Sequence, residues 1–367
     1  MRANNNKVQL KILAAVGAAA ARAGIKAWAA GGFARDYYLG KNTFDIDVCA
    51  LGDARPLADF CIKTYGAQAI YFKNFGTARV VFAGGLKLDF VRCRKEVYDK
   101  PAALPRVSPG NLADDLYRRD FTANAWALSL LPYEFLKSFD LFESRAAIDA
   151  GLVKILHPKS FEDDPTRVFR ALRFCARFGW RLETETEKLL KACVRGGFIS
   201  LLSRERVRQE LIKILEENNP LPCLKLAAEY GALKFIYAGL KCPPALAEVK
   251  GLPARLTLLC LALGGKGADF LKSLRLERGL YKECAAVVDF FAGKQALAHP
   301  LSAEQKKIVK LYAPELPAAA LRPLVIGGAD LQKRGLRGPA LGAALKKTAS
   351  LQFAGKIKTK KEALRFL

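Results

Sequence analysis

Histidine is nearly absent from this chain, which has two in 367 residues. Its nine cysteines are an odd number, scattered from Cys49 to Cys284, and none stands in a Cys-x-x-Cys pair. Structural zinc needs clustered thiolate or imidazole ligands, and a disulfide framework needs pairs, so the sequence argues against both. Scattered thiols fit a reducing compartment, which predicts a cytoplasmic protein. Long hydrophobic runs are missing too. The longest beyond the N-terminal region, LTLLCLALGG from Leu256, is about half of what a bilayer requires. Near the start, ILAAVGAAAA from Ile12 has the outline of a secretory h-region. Arg22 and Lys26 follow it, however, and the chain runs straight into a glycine loop, so it reads as an amphipathic opening helix over about 6–23. No membrane association is implied. Acids are scarce, with 35 Asp and Glu against 60 Lys and Arg, for a net charge of +25. A surplus of that size favours a polyanionic partner, nucleic acid first and an anionic membrane surface second. With 51% hydrophobic and 26% charged residues the chain is globular rather than disordered.

The length exceeds what one core organises, so two to four domains are expected. Up to about residue 155 the hydrophobic period switches between two and 3.6, which marks a small α/β unit. Short strands are expected at Lys26–Ala30, Asp45–Ala50, Ala69–Phe72, Thr77–Ala83 and Leu86–Arg92. Gly84 and Gly85 supply a hairpin turn between the last two. Pro101, Pro105 and Pro109 make 95–111 a loop. From about Asp164 the period is helical almost throughout, with helices expected at Pro165–Phe178, Glu185–Val194, Arg204–Glu217 and Pro220–Tyr230. No exact internal repeat is visible.

The most informative stretch is AAGGFARDYYLGKNTFDIDV, Ala29–Val48. Carboxylates at i and i+2 on a strand point to one face, so Asp45 and Asp47 can grip the same divalent metal. Gly31 and Gly32 let backbone approach an anion closely, and the helix that follows offers N–H groups to phosphate. A phosphate cradle thirteen residues before a carboxylate pair points to nucleotidyl transfer, with Arg35 at a fixed offset. Asp89, in LKLDFVRC, has three readings: a third carboxylate at the metals, a proton acceptor, or a strand-end partner of Arg92 or Arg94.

Two further segments carry chemistry. In RRDFTANAWAL, Asp120 and Thr122 are expected to cap an apolar helix, while Arg118 and Arg119 supply fixed donors and charge to a triphosphate. In FEDDPTRVFRALRFCARFGW, Asp163 or Asp164 caps a helix that opens at Pro165. At 100° per residue Asp164, Arg167, Arg170 and Arg173 share one side, with Val168, Phe169, Leu172 and Ala176 on the other. One acid and three arginines form either a salt-bridged solvent face or a protein template for the edge of a base. The last stretch, Leu331–Leu367, holds ten Lys and Arg against the single acid Glu362. It is a solvated surface or a contact to an RNA backbone.

Together these segments resemble a known family. GGFARDYYLG…DID is similar to the GGxVRDxLLG…DxD signature of class II tRNA nucleotidyltransferases and bacterial poly(A) polymerases. RRDFTANAWA resembles their RRDFTINAMA motif, and DDPTRVFRALRFCARFGW their EDPxRxLRAxRFAxxxGF. SRERVRQELIKIL (Ser203–Leu215) resembles the helical motif that follows, so the likeness spans about 25–235. It implies an α+β protein: a polymerase-β-type nucleotidyltransferase head over 1–155, then all-helical neck, body and tail. The segment 156–240 would select the nucleotide and bind RNA, and 241–367, with its basic end, would bind tRNA. By the same resemblance Asp45 and Asp47 hold the metal, expected to be Mg²⁺, and Gly32, Arg35 and Arg119 hold the nucleotide; the residues themselves add Gly31 at the nucleotide and Asp89 as a catalytic carboxylate, either metal ligand or base. Asp164 and Arg167 read the CTP or ATP base, with Arg170 and Arg173 completing that helix. The implied activity is template-independent addition or repair of the tRNA 3′-CCA, or its terminal A, with poly(A) synthesis as the alternative. The implied partners are tRNA, ATP and CTP, with no obligatory protein partner. Asp163 stands where the family has Glu, and Ala34 and Ala123 replace common β-branched residues. The run Asp-Asp-Pro-Thr-Arg, Pro101–Pro105 and Ile326–Gly342 lean toward A-adding members.

Overall fold

The structure is a computed structural model and describes residues 2–72, 77–292, 301–315 and 324–366. The chain divides into two compact units, Met1–Leu202 and Ser203–Leu367.

The first unit opens with α1 (Arg2–Arg22), β1 (Lys26–Ala30), α2 (Gly32–Tyr38), β2 (Asp45–Leu51) and α3 (Arg55–Tyr65). It continues with β3 (Gln68–Phe72), β4 (Thr77–Val81), β5 (Lys87–Arg92), β6 (Arg94–Val97), β7 (Arg106–Pro109), α4 (Leu112–Tyr117), β8 (Trp126–Ser129) and β9 (Ser138–Asp140). Seven strands form one sheet in the order β3-β4-β5-β2-β1-β8-β9. Only β2 and β5 run parallel, and they set Asp47 directly opposite Asp89. The alternation of β2 explains why this sheet positions a site. Ile46, Val48 and Ala50 point into the main core with Leu13, Val16, Leu57, Leu88 and Phe90. Asp45, Asp47 and Cys49 therefore point to the other face, where Cys49 packs with Trp28, Cys93, Leu112 and Leu116.

Two local expectations fail here. Residues 121–128 do not form a helix: Thr122–Asn124 make a single 3₁₀ turn, and Trp126–Ser129 are β8. Pairing of β8 with β1, Ala29 opposite Leu128 and Ala30 opposite Ala127, outweighs the helical leaning of an Ala-rich segment. Residues 95–111 are not an irregular loop either. β6 and β7 pair antiparallel, from Arg94 opposite Pro109 to Val97 opposite Arg106, and Pro101 and Pro105 lie in their connection.

After β9 come α5 (Ser144–Asp149), β10 (Leu152–Val153), α6 (Ser160–Asp163), α7 (Thr166–Phe178), β11 (Arg181–Leu182) and α8 (Thr184–Arg195). α7 buries Val168, Phe169, Ala171 and Leu172 and ends at Gly179, whose φ of 70° favours glycine. The second unit is helical: α9 (Arg204–Leu215), α10 (Leu221–Glu229), α11 (Leu233–Ile236), α12 (Leu252–Ala262), α13 (Gly267–Ser273), α14 (Arg278–Phe291) and α15 (Ala303–Tyr312). Buried Arg255 of α12 donates to the carbonyls of Leu215, Glu217 and Asn218, satisfying the C-terminal end of α9. α16 (Gly328–Gln332), α17 (Gly338–Phe353) and α18 (Lys360–Arg365) close over their own small core of Ile326, Leu331, Ala344, Ile357 and Ala363. No described helix is long and apolar enough to cross a membrane.

Candidate active site

A cleft of about 690 Å³ in the first unit is lined by Gly32, Arg35, Asp45, Asp47, Arg119, Asp164, Arg167, Arg170 and Arg173. Residues from three motifs, from Gly32 to Arg173, thus meet on one surface. The carboxylates of Asp45 and Asp47 are open, with side chains 71% and 50% exposed. Desolvation by the surrounding walls raises the Asp47 pKa above its ordinary value, Arg119 opposes this, and neighbouring Asp89 adds to it. Asp89 faces the same side of the sheet but is held by Arg79, directly opposite on β4, through bonds of 2.7 Å and 2.6 Å. Its partner is thus Arg79, not Arg92 or Arg94. Sequence offsets along one strand do not reveal the neighbour across the ladder. Among the described residues, no cluster of three or more His, Cys, Asp or Glu has a metal-holding arrangement. A two-carboxylate donor set remains, which suits a cation that takes its other ligands from phosphate oxygens and water.

Gly31 sits where β1 turns into α2, with φ of 73°. A Cβ there would stand 2.2 Å from Nη1 of Arg119 and 3.4 Å from Oδ2 of Asp47. Glycine is required by close approach as well as by backbone conformation. Arg119 reaches under this turn from the end of α4. Its Nη2 donates to Asp115 Oδ2 at 3.1 Å and to Cys49 Sγ at 3.3 Å, and its Nη1 lies 3.6 Å from Asp47 Oδ2. Burial works against its charge, but Cys49, Asp115 and Asp47 outweigh that and hold the guanidinium firmly protonated. Arg118 turns the other way, to Asp115 Oδ1 at 2.7 Å and Glu96 Oε1 at 3.4 Å. Buried Asp115 thereby splays the two arginines. Burial pushes its pKa up, yet Arg119 and Arg118 prevail and hold it below the usual carboxylate range.

Arg35 is nearly buried. It donates to Asp36 Oδ1 at 2.9 Å and Asn124 Oδ1 at 2.5 Å, and its guanidinium lies 5.1 Å and 4.8 Å from the rings of Phe174 and Phe178. Burial lowers its pKa and Asp36 partly restores it. Asn124 in turn donates to Asp120 at 2.7 Å, and Asp120 accepts both Nε (2.9 Å) and Nη2 of Arg170. Burial raises the Asp120 pKa, but Arg170 and Asn124 win and bring it down to about 2. Asp120 is therefore not a helix cap but the centre of a buried network linking α2, the 3₁₀ turn and α7.

The polar side of α7 faces the cleft. Asp164 Oδ1 accepts from the Thr166 amide at 3.0 Å and hydroxyl at 2.5 Å, which fixes the start of the helix. Arg167, 4% exposed, donates to the Ser160 hydroxyl at 2.6 Å and the Arg118 carbonyl at 2.8 Å. Sequence reasoning missed Arg94, Glu96, Tyr98, Asn124 and Arg177, which share the cleft wall. Arg177, one turn beyond Arg173, was within reach of the helical periodicity. Arg94 and Glu96 on the unforeseen β6, and Tyr98 just past its end, were not.

A mixed sheet that displays an aspartate pair beside a glycine turn, facing an arginine helix, defines a polymerase-β-type nucleotidyltransferase head. The sequence matches two family models, the poly A polymerase head domain over residues 27–154 and the probable RNA and SrmB-binding site of polymerase A over 179–242. The chain belongs to the class II tRNA nucleotidyltransferase and poly(A) polymerase family. It is 39% identical over 60% of its length to a protein of Geobacter sulfurreducens named A-adding tRNA nucleotidyltransferase. A Deinococcus radiodurans protein named CC-adding tRNA nucleotidyltransferase is 27% identical over 90% of this chain and 86% of its own. The chain spans 25% of the Geobacter protein, 26% of an Aquifex aeolicus A-adding relative and 50% of one from Halalkalibacterium halodurans. Among solved structures, an apo CCA-adding enzyme superposes with a TM-score of 0.69 at 26% identity, covering 97% of this chain and 94% of that one. The Thermotoga maritima CCA-adding enzyme complexed with tRNA gives 0.64 at 26% identity, covering 97% and 94%.

Proposed function

We propose that the chain is a cytoplasmic, template-independent tRNA nucleotidyltransferase. In this reading it builds or repairs the 3′-terminal CCA, or its final A, from CTP and ATP. The supporting observation is the meeting of open Asp45 and Asp47 with the arginine face of α7 across one cleft. Transfer of a phosphoryl group alone needs the carboxylates. Choosing between two bases without a template needs a second wall of fixed donors and acceptors, which Asp164 and Arg167 are suited to provide. The A-adding, CC-adding and CCA-adding names of the relatives lend further support.

Asp45 and Asp47 would hold a divalent cation, which we take to be Mg²⁺. When bound, such an ion lowers the pKa of an attacking hydroxyl and neutralises the leaving pyrophosphate. In the reaction the acceptor 3′-hydroxyl attacks the α-phosphorus, the bond to the β-phosphate bridging oxygen breaks, and pyrophosphate departs. Gly31 and Gly32 give the triphosphate close backbone approach. Arg119, permanently charged, places donors beside Asp47, where charge develops on the reacting phosphate. Arg35 is held by Asn124 and Asp36, and Arg170 by Asp120, so both present fixed guanidinium edges rather than mobile ones. Arg173 completes the wall. Asp89, held by Arg79 across from Asp47, adds negative potential at the carboxylate pair, and its release would supply a third carboxylate.

Substituting Asp45→Ala abolishes nucleotide addition and leaves tRNA affinity within about twofold; persistent addition would remove the carboxylates from the reaction. tRNAs ending before C74, C75 or A76, each offered CTP or ATP alone, separate full CCA addition from A-only addition. The A-adding relatives favour the A-only outcome as second reading. Long A-tails on unstructured RNA would instead establish a poly(A) polymerase.

A further inference from the structure

Ser160 is a buried polar residue beside the cleft wall that the proposed mechanism leaves without a role. It is fully buried at the first position of α6. Its amide donates to the His157 carbonyl at 3.0 Å, and its own carbonyl accepts from the Asp164 amide at 3.2 Å. Its hydroxyl oxygen accepts from Nη1 of Arg167 at 2.6 Å, and its carbonyl oxygen lies 3.5 Å from the same nitrogen. Ser160 therefore touches both Asp164 and Arg167, through its carbonyl oxygen and its hydroxyl.

A guanidinium is planar, and its five N–H groups have fixed directions. An arginine at the end of three methylenes can still roll about its long axis, and the roll decides which N–H groups meet a ligand. Two contacts remove that freedom here: Nη1 on Ser160 Oγ and Nη2 on the Arg118 carbonyl at 2.8 Å. The carbonyl is backbone in a segment tied down by Asp115. Among the described residues the hydroxyl makes the only side-chain hydrogen bond to the Arg167 guanidinium, and so the only one that a single substitution removes. Cytosine and adenine differ in where their Watson–Crick edges carry donors and acceptors, so a fixed roll discriminates and a free one does not.

We propose that Ser160 is a positioning residue for base selection: its buried hydroxyl sets the roll of the Arg167 guanidinium and so tunes the preference between CTP and ATP. This rests on the reading of Arg167 as a residue that meets the base. The Ser160 hydroxyl does not touch substrate; it acts through Arg167.

The test is a double-mutant cycle on the full-length chain, reading kcat/KM for CTP and for ATP separately on matched tRNA acceptors. Ser160→Ala should change the ratio of the two by about tenfold, the scale of one lost hydrogen bond to a charged group. The rate with the disfavoured base should rise or hold while the favoured one falls. Ser160→Thr, which keeps the oxygen, should restore the ratio. In an Arg167→Ala background Ser160→Ala should change the ratio no further. Thermal unfolding and nucleotide binding by each variant separate misfolding from misplacement. Equal losses with CTP and ATP, or a full ratio change from Ser160→Ala in the Arg167→Ala background, would overturn the proposal. If Arg167→Ala itself leaves the ratio untouched, the failure lies in the reading of Arg167 instead.

Discussion

Gly31 illustrates how much one residue carries. The opening motif makes its glycine a phosphate-approach device, and the structure adds a steric reason, because Arg119 fills the space a Cβ would need. Gly31→Ala is expected to cost about 1–3 kcal/mol from the left-handed backbone alone. It should also displace Arg119 and raise KM for nucleotide, measured beside the melting temperature; an unchanged KM would separate Arg119 from the nucleotide. Asp120 carries a pH signature. Its folded pKa of about 2 lies below the ordinary 3.8, so its network stabilises the protein fully above about pH 4. That contribution, on the order of 2 kcal/mol, disappears as pH falls from 4 toward 2. Urea midpoints across this window should decline more steeply for the native protein than for Asp120→Asn, which cannot titrate there.

At the scale of elements, α7 shows why some of the site was legible. A helix with period 3.6 presents an apolar stripe and a polar stripe whatever it packs on, so the arginine face follows from spacing alone. Leu172 lies fully buried on the apolar stripe. Leu172→Ala should lower stability by about 2–5 kcal/mol, as a cavity-forming change does, and reduce turnover with both nucleotides alike. A selective loss with one nucleotide would mean that the apolar stripe also sets the position of the arginines. The segment 121–128 shows the opposite case. Its Ala-rich run carries no strong strand period, and only the free edge of β1 makes it a strand. The β6–β7 hairpin escaped notice because three prolines break the pattern, although two of them lie between the strands.

For the whole molecule, the surplus of 25 positive charges bears on the proposed binding of tRNA. The basic C-terminal stretch is not a loose tail: Ile357 and Ala363 belong to the core that also buries Ile326 and Leu331. Removing it would expose that core, so charge substitution is the cleaner probe. Lys356, Lys358 and Lys361 are exposed, whereas Lys360 pairs with Asp330 at 2.5 Å. Replacing those three with alanine should flatten the slope of log affinity for tRNA against log salt by about two to three. An unchanged slope would make the stretch a solvated surface.

The sequence by itself determined the chemistry: an i, i+2 carboxylate pair beside a glycine turn, and an arginine helix. Both signals are local, arising from strand and helix periods that need no tertiary partner. The tertiary structure alone decided the pairings. Asp89 belongs to Arg79 because β4 lies beside β5, Asp120 binds Arg170 rather than capping a helix, and Arg167 rests on Ser160 and the Arg118 carbonyl. Each of these depends on a neighbour brought across the sheet or from another element, and spacing along the chain does not encode that distance.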